Sequence, residues 1–367
     1  MKNIGVSFAA ILGLVVSGAV IASLWHASTP LPPLTDIDRE NARALGLAHS
    51  FTVLSEGTIH YRVTAPHNAT LNAPVILLVH GFQTPGFVWD EYVAPLTGAG
   101  YQVISFDNYG RGLSDRPAEP YTLERTNRLI EDLLTHLAIT RPLHLVGYSM
   151  GGVTAGHFAK THPEKIRSLT LIAPAGTGTE PWMTKILASP TLGDMIMSQI
   201  GPILSASRAQ KAAAESLNPA NFRAQWAASE GFEGNNRALL STLRHYPLWS
   251  AEEIYAEIGQ SQLPVQIIWG KDDSVVPFAE AARFSTLLPN APLHAFEEIG
   301  HEITYANPEL VTPLLKSFIE THRPRRVSSG LGGKARSPEG RLEAIDCLCH
   351  TDDPLGETPM PNLATPN

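Results

Sequence analysis

Short apolar runs rich in β-branched residues recur along this chain and alternate with amphipathic segments, which restricts the folds open to it more than any other feature. The runs are Pro74 to His80 (PVILLVH), Gln102 to Asp107 (QVISFD), Leu143 to Tyr148 (LHLVGY), Ser168 to Ala173 (SLTLIA), Pro264 to Trp269 (PVQIIW) and Leu293 to Glu297. Runs this apolar predict strands buried on both faces. Their alternation with helical patterns predicts βαβ units around a mostly parallel sheet. The helical patterns are Tyr121 to Leu137, with Leu129, Ile130, Leu133, Leu134 and Leu137 near helical spacing, then Val153 to Thr161, Ala279 to Leu288 and a terminal helix over Glu309 to His322. Two alternating stretches come first, Phe51 to Leu54 and Thr58 to Thr64, separated by Glu56-Gly57, and predict an antiparallel hairpin.

The alternation stops between Gly176 and Gln262, an interval rich in Ala, Met, Leu, Trp and Gln with helical patterns and no convincing strand. A crossover needs little more than one helix. The interval therefore predicts a helical cap over about residues 177–262, inserted after the sixth strand. With 43% hydrophobic and 17% charged residues among 367, the chain has ample material for one large core. Its 27 Lys and Arg against 35 Asp and Glu give a formal charge of -8, the wrong sign for tracking phosphates, so no nucleic-acid partner is expected.

The two ends differ from this body. Ile4 to Trp25 is a run of 22 residues without a formal charge, preceded by Lys2. As a helix it would span about 33 Å, enough for a bilayer core. Residues 1–25 therefore read either as a secretory signal peptide, with Val20-Ile21-Ala22 a marginal cleavage site, or as an uncleaved N-terminal membrane anchor. Lys2 would keep the N-terminus in the cytoplasm. The expectation is an exported protein, anchored in the membrane with its catalytic domain outside the cytoplasm, or secreted or periplasmic after cleavage. A Pro-rich linker follows over 26–34, the body occupies 35–322, and 323–367 reads as a disordered tail. Cys347 and Cys349, the only cysteines, fall in that tail and lack the partners of a zinc site.

Gly147-Tyr148-Ser149-Met150-Gly151 is a Gly-x-Ser-x-Gly motif between a predicted buried strand and a predicted helix. A strand turning sharply into a helix brings backbones close, which the two glycines permit, and leaves the serine strained and exposed. The pentapeptide alone is weak evidence, but this setting makes it specific. A serine hydroxyl needs a base, and the base an orienting carboxylate. Asp272 and Asp273 follow the Pro264 to Trp269 strand, and His301 follows the next. All thus emerge at carboxyl ends of strands, where ligands bind in open α/β sheets.

With these residues in place, the chain resembles the α/β-hydrolase fold family, in its capped serine-hydrolase branch of esterases and lipases. The resemblance spans roughly Thr52 to Phe318 and rests on His80-Gly81-Phe82, the Asp107 to Asp115 loop (DNYGRGLSD), the Ser149 elbow, Gly270 to Pro277 and Gly300-His301. It implies an eight-stranded, mostly parallel sheet flanked by helices. It further implies Ser149 as nucleophile, His301 as base and Asp273 as orienting acid, with Asp272 the other candidate for the acid and Asp107 a third in principle. The oxyanion hole would be built from the backbone N–H groups of Phe82 and Met150. His80 reads as a turn-stabilising histidine. Arg111 is expected to pair with Asp115 or another carboxylate. Trp89, Trp182, Met183, Trp226 and Trp249 would line the pocket or pack the cap.

A serine at the elbow argues against the dehalogenase and epoxide-hydrolase relatives, which carry aspartate there. No phosphate-cradling Gly loop and no His-Glu-x-x-His occurs, and the chemistry requires no cofactor. Three classes of function remain. The leading one is hydrolysis of carboxylic esters with hydrophobic short-to-medium acyl groups through an acyl-enzyme, on a small-molecule ester or lipid. The second keeps the triad but cleaves a carbon–carbon bond or transfers the acyl group, with Arg208, Arg223 or Arg237 available in the cap. The third is a binding module without catalysis.

Overall fold

The structure, a computed structural model, describes residues 32–44, 49–66, 73–118 and 120–323. Eight strands form one sheet: β1 (Ser50–Leu54), β2 (Gly57–Thr64), β3 (Val75–Val79), β4 (Gln102–Phe106), β5 (Leu143–Tyr148), β6 (Ile166–Ile172), β7 (Val265–Gly270) and β8 (Leu293–Phe296). Their order is β1-β2-β4-β3-β5-β6-β7-β8. The hairpin β1–β2 and the β2–β4 pair are antiparallel, and every other pair is parallel. In β3, β5 and β7 every residue is buried, as expected of strands covered on both faces.

The flanking helices are α1 (Asp36–Ala44), α2 (Asp90–Gly98), α3 (Leu123–His136) and α4 (Met150–Thr161), with five helices between β6 and β7: α5 (Trp182–Ala188), α6 (Leu192–Glu215), α7 (Pro219–Ser229), α8 (Asn235–His245) and α9 (Glu252–Gly259). After β7 come α10 (Ala281–Leu287), α11 (Ile303–Ala306) and α12 (Pro308–Thr321). Helix α3 shows how sequence sets these elements. Thr122 caps it by accepting a bond from the Arg125 N–H, which satisfies one of the unpaired donors of a first turn. Leu129, Ile130, Leu133 and Leu134 then form the buried stripe that docks it on the sheet.

Not all of the helical interval belongs to one layer. Helix α9 returns to the sheet, where Tyr255 and Ile258 join the main core and crowd Gly156 of α4. Helices α5 to α8 instead carry the side chains that face the cavity described below. A buried polar triangle ties α7 to the sheet. Arg62 of β2 donates to Asp90 and, over 2.7 Å, to Gln225 of α7, while Gln225 donates to Asp90 in turn.

One expectation is corrected. Among the described residues no helix is long and apolar enough to cross a membrane, so the expected anchoring in the membrane has no support in the structure. The segment on which the anchor or signal peptide was expected, residues 1–25, lies outside the described residues, as does the tail beyond Arg323 with its two cysteines.

Candidate active site

Ser149 stands between β5 and α4 with φ at +55° and ψ at −119°, a conformation that costs a residue with a Cβ about 1–3 kcal/mol. The surroundings impose it. Ser149 N–H donates to Ile172 O at 2.9 Å, and Ser149 O accepts from Gly152 and Ala175 N–H at 2.9 and 3.1 Å. The hydroxyl is thereby presented at the carboxyl edge of the sheet.

His301, five residues beyond the end of β8, places Nε2 3.0 Å from Ser149 Oγ and Nδ1 2.7 Å from Asp273 Oδ2. Its ring is held by Tyr148, whose ring lies 5.2 Å away and whose hydroxyl donates to His301 O at 3.0 Å. Four donors converge on the Asp273 carboxyl: His301 Nδ1 and Trp269 Nε1 on Oδ2, and the Val275 and Val276 N–H groups, each at 2.8 Å, on Oδ1. All three side chains are buried, while Asp272 is exposed. The structure therefore brings Asp273, not Asp272, to the histidine. Asp107 is occupied elsewhere, accepting from Gly86 and Leu113 N–H and lying 2.7 Å from His60 Nδ1.

The His80–Phe82 loop lies against the serine, since a Cβ on Gly81 would come within 3.4 Å of the Ser149 Cβ. Met150 begins α4, so its N–H has no acceptor within the helix. Phe82, Met150, Ser149 and His301 all border one cavity of about 860 Å³. Its wall is largely apolar, with Met197, Leu204, Trp226, Leu239, Leu243 and Trp249 among the contributors. Of the aromatic residues singled out from sequence, Trp226 and Trp249 reach the cavity. Trp89 is buried in the core away from it, and Trp182 and Met183 are exposed outside it. Of the three cap arginines, Arg208 alone lines the cavity, donating to the Gln83 side chain.

Among the described residues the expected ion pair of Arg111 with Asp115 or another carboxylate is absent. Asp115 instead pairs with Arg39 and accepts the Thr58 N–H, and Arg111 bonds to Phe82 O, Gly110 O and Thr242 Oγ1. The roles of Trp269 and Tyr148 in holding Asp273 and His301 carried no sequence signal, because each depends on contacts fixed only by the sheet.

His80 has both ring nitrogens committed. Nδ1 lies 2.8 Å from Gly81 O, and Nε2 accepts the Asn108 N–H at 2.9 Å. A proton on Nε2 would remove that acceptor, and burial, the largest influence, already pulls the imidazole down to about 4. The folded state thus binds fewer protons than the unfolded one below pH 6.5, so this stability is complete above 6.5 and lost as pH falls toward 4. The loss over that interval is on the order of 3 kcal/mol. Urea unfolding at pH 7 and pH 4.5 should show it, with a flatter dependence in His80→Gln. Equal slopes in the two proteins would exclude His80 as a source.

Comparison with known proteins places the fold in a family. The family model of the α/β hydrolase fold matches residues 74–308. Among curated relatives, a 2-hydroxy-6-oxo-6-phenylhexa-2,4-dienoate hydrolase of Comamonas testosteroni is 28% identical over 68% of this chain and 86% of its own. Among solved structures, the enol-lactonase of Burkholderia xenovorans LB400 superposes with a TM-score of 0.62 at 20% identity, over 74% of this chain and 100% of its own. A thermophilic esterase from Thermogutta terrifontis gives 0.60 at 19%, over 75% and 99%. The chain belongs to the α/β-hydrolase fold family and is one of its hydrolases.

Proposed function

We propose that this protein is a serine hydrolase that cleaves carboxylic esters of hydrophobic short-to-medium acyl groups through an acyl-enzyme. One observation carries the reading: His301 stands between Ser149 Oγ and Asp273 at 3.0 and 2.7 Å, beside a largely apolar cavity. With the Nδ1 proton held by Asp273, Nε2 can accept the hydroxyl proton as Oγ attacks the ester carbonyl. The negative charge that develops on the carbonyl oxygen falls to the N–H groups of Phe82 and Met150. Collapse of the adduct returns the proton from Nε2 to the leaving alkoxide. Water, deprotonated by the same nitrogen, then attacks the acyl carbon and frees Ser149 and the acid. Helices α5 to α8 act as a cap that shapes the acyl pocket, whose volume lies toward the upper end of small-molecule sites.

A second reading is hydrolysis of a carbon–carbon bond in a vinylogous diketone. The Comamonas testosteroni relative, named for a dienoate of that type, favours it, as does the presence of Arg208 in the cavity wall. Here the leaving group is a carbanion stabilised as an enolate, and the same serine and histidine serve.

Hydrolysis of nitrophenyl esters from acetate to palmitate, beside 2-hydroxy-6-oxo-6-phenylhexa-2,4-dienoate and with Ser149→Ala as the control, separates the readings. Ester turnover peaking at an intermediate chain length and absent from Ser149→Ala is the expected result. Dienoate turnover exceeding that of every ester by a hundredfold or more would replace the first reading with the second. A folded wild type no faster than Ser149→Ala on any substrate would leave a binding module.

A further inference from the structure

Arg111 is 1% exposed, among the largest fully buried side chains of the protein, and no carboxylate of the described residues forms an ion pair with it. A buried charge without a counter-charge costs several kcal/mol, and an apolar residue of similar length would avoid that cost. Burial lowers its pKa to about 10, which leaves it a cation at neutral pH. What holds it is a set of backbone and hydroxyl acceptors. Nε donates to Phe82 O at 2.5 Å, Nη1 to Gly110 O at 3.1 Å and Nη2 to Thr242 Oγ1 at 3.0 Å, and the guanidinium carbon lies 5.2 Å from the centre of the Phe82 ring. Gly110 and Gly112, at φ +78° and +55°, turn the loop on either side so that this side chain enters the core.

Two of these partners matter to the site. Phe82 is gripped at both its carbonyl and its ring, which fixes the backbone of a residue that lines the cavity together with Ser149. Thr242 belongs to α8, the helix that also sends Leu239, Leu240 and Leu243 into the cavity wall. One rigid fork therefore spans the loop beside the serine and the helix above it, and a planar guanidinium suits such a span better than a flexible ammonium.

We propose that Arg111 is a positioning residue that holds the Phe82 backbone so that its N–H points at the developing oxyanion, and that ties this geometry to α8. The proposal rests on the reading of Phe82 as an oxyanion donor. It predicts an effect on the transition state rather than on ground-state binding, because the guanidinium touches neither substrate nor reacting atoms.

Three variants and one combination of them test it with a nitrophenyl ester and an alkylboronic acid, which forms a tetrahedral adduct on a nucleophilic serine. Arg111→Met is expected to lower kcat about 10- to 100-fold with KM within about twofold, somewhat less than the loss of a whole oxyanion donor. Boronate affinity should weaken by a similar factor while affinity for the product carboxylate holds. Arg111→Lys, which can still reach Phe82 O, should recover part of both losses. If Arg111→Met does not fold, Arg111→Lys carries the test through the same ratio of boronate to product affinity. The third protein replaces the Phe82 amide by an ester, using the α-hydroxy acid analogue, and removes the N–H itself.

In that protein Arg111→Met should add little further loss, since both changes act on one donor. Losses that multiply independently, or a change confined to KM, would overturn the role of Arg111 while leaving Phe82 as donor. An unchanged kcat in the amide-to-ester protein would overturn the donor reading and the proposal with it.

Discussion

Asp273→Asn is expected to lower kcat by about 10³- to 10⁴-fold with little change in KM, the signature of an interaction that matters at the transition state. The reason lies in the four donors around the carboxyl. A carboxylate can accept all of them, two on each oxygen. An amide of the same shape has one oxygen and one NH₂ group. With the NH₂ group toward Oδ1 it would meet two backbone N–H groups. Toward Oδ2 it would meet the indole N–H and oblige His301 to take its proton on Nε2, where it can no longer accept one from Ser149. Asp272→Asn, an exposed change, should alter kcat by less than about twofold, within the small effects of surface substitutions. Parallel measurement of kcat, KM and urea stability on the two variants checks this. A deep loss in Asp272→Asn with near-normal turnover in Asp273→Asn would reassign the acid.

The choice between these neighbouring aspartates shows where sequence reasoning gains and loses grip. The buried strands were legible because a strand covered on both faces needs an unbroken apolar run, and VILLV or LHLVGY is hard to place otherwise, while β1 and β2 were legible from their alternation around Glu56-Gly57. Strand β6 begins at Ile166, two residues before its expected start, because Arg167 can sit in the strand only partly buried and so breaks the run. Helix α1 (DIDRENARA) has almost no apolar stripe and escaped notice. It is held by a Thr35–Asp38 cap and by Arg39 reaching Asp115, partners remote from any periodicity. Helix α2 was hidden by Pro95 within it and by its short apolar face.

In the site, the strand–motif–helix setting announced Ser149, and the carboxyl ends of β7 and β8 announced an acid and a histidine. Which tryptophans face the cavity was not legible, because a pocket wall and a core ask for the same side chain. Trp226 and Trp89 are both buried, yet only Trp226 faces the cavity. Arg111 was misjudged for a related reason. A guanidinium commonly finds a carboxylate, but here the turns at Gly110 and Gly112 carry it past Asp115 to a row of carbonyl and hydroxyl acceptors.

The elbow itself makes the second large prediction. A Cβ on Gly151 would lie 2.3 Å from Val79 O and 2.6 Å from His80 O, and one on Gly147 would lie 2.2 Å from Gly151 O. These are backbone atoms of β3, of the residue that follows it and of α4, which cannot rotate away as a side chain would. Gly151→Ala must therefore push α4 off the sheet or distort the loop that leads to Phe82, at a cost of about 3 kcal/mol or more, the upper range for overpacking. Because the same displacement moves Ser149 relative to His301, turnover of the folded fraction should fall as well. Gly98→Ala supplies the contrast. That glycine ends α2, and nothing lies within 4 Å of the added methyl, so stability should hold or rise by about 0.5–1 kcal/mol. Urea unfolding of the two variants, with labelling of Ser149 by a fluorophosphonate, measures both effects. A Gly151→Ala protein as stable and as readily labelled as wild type would mean that α4 can stand further from β3, and that the close approach is not what holds the serine in its strained conformation.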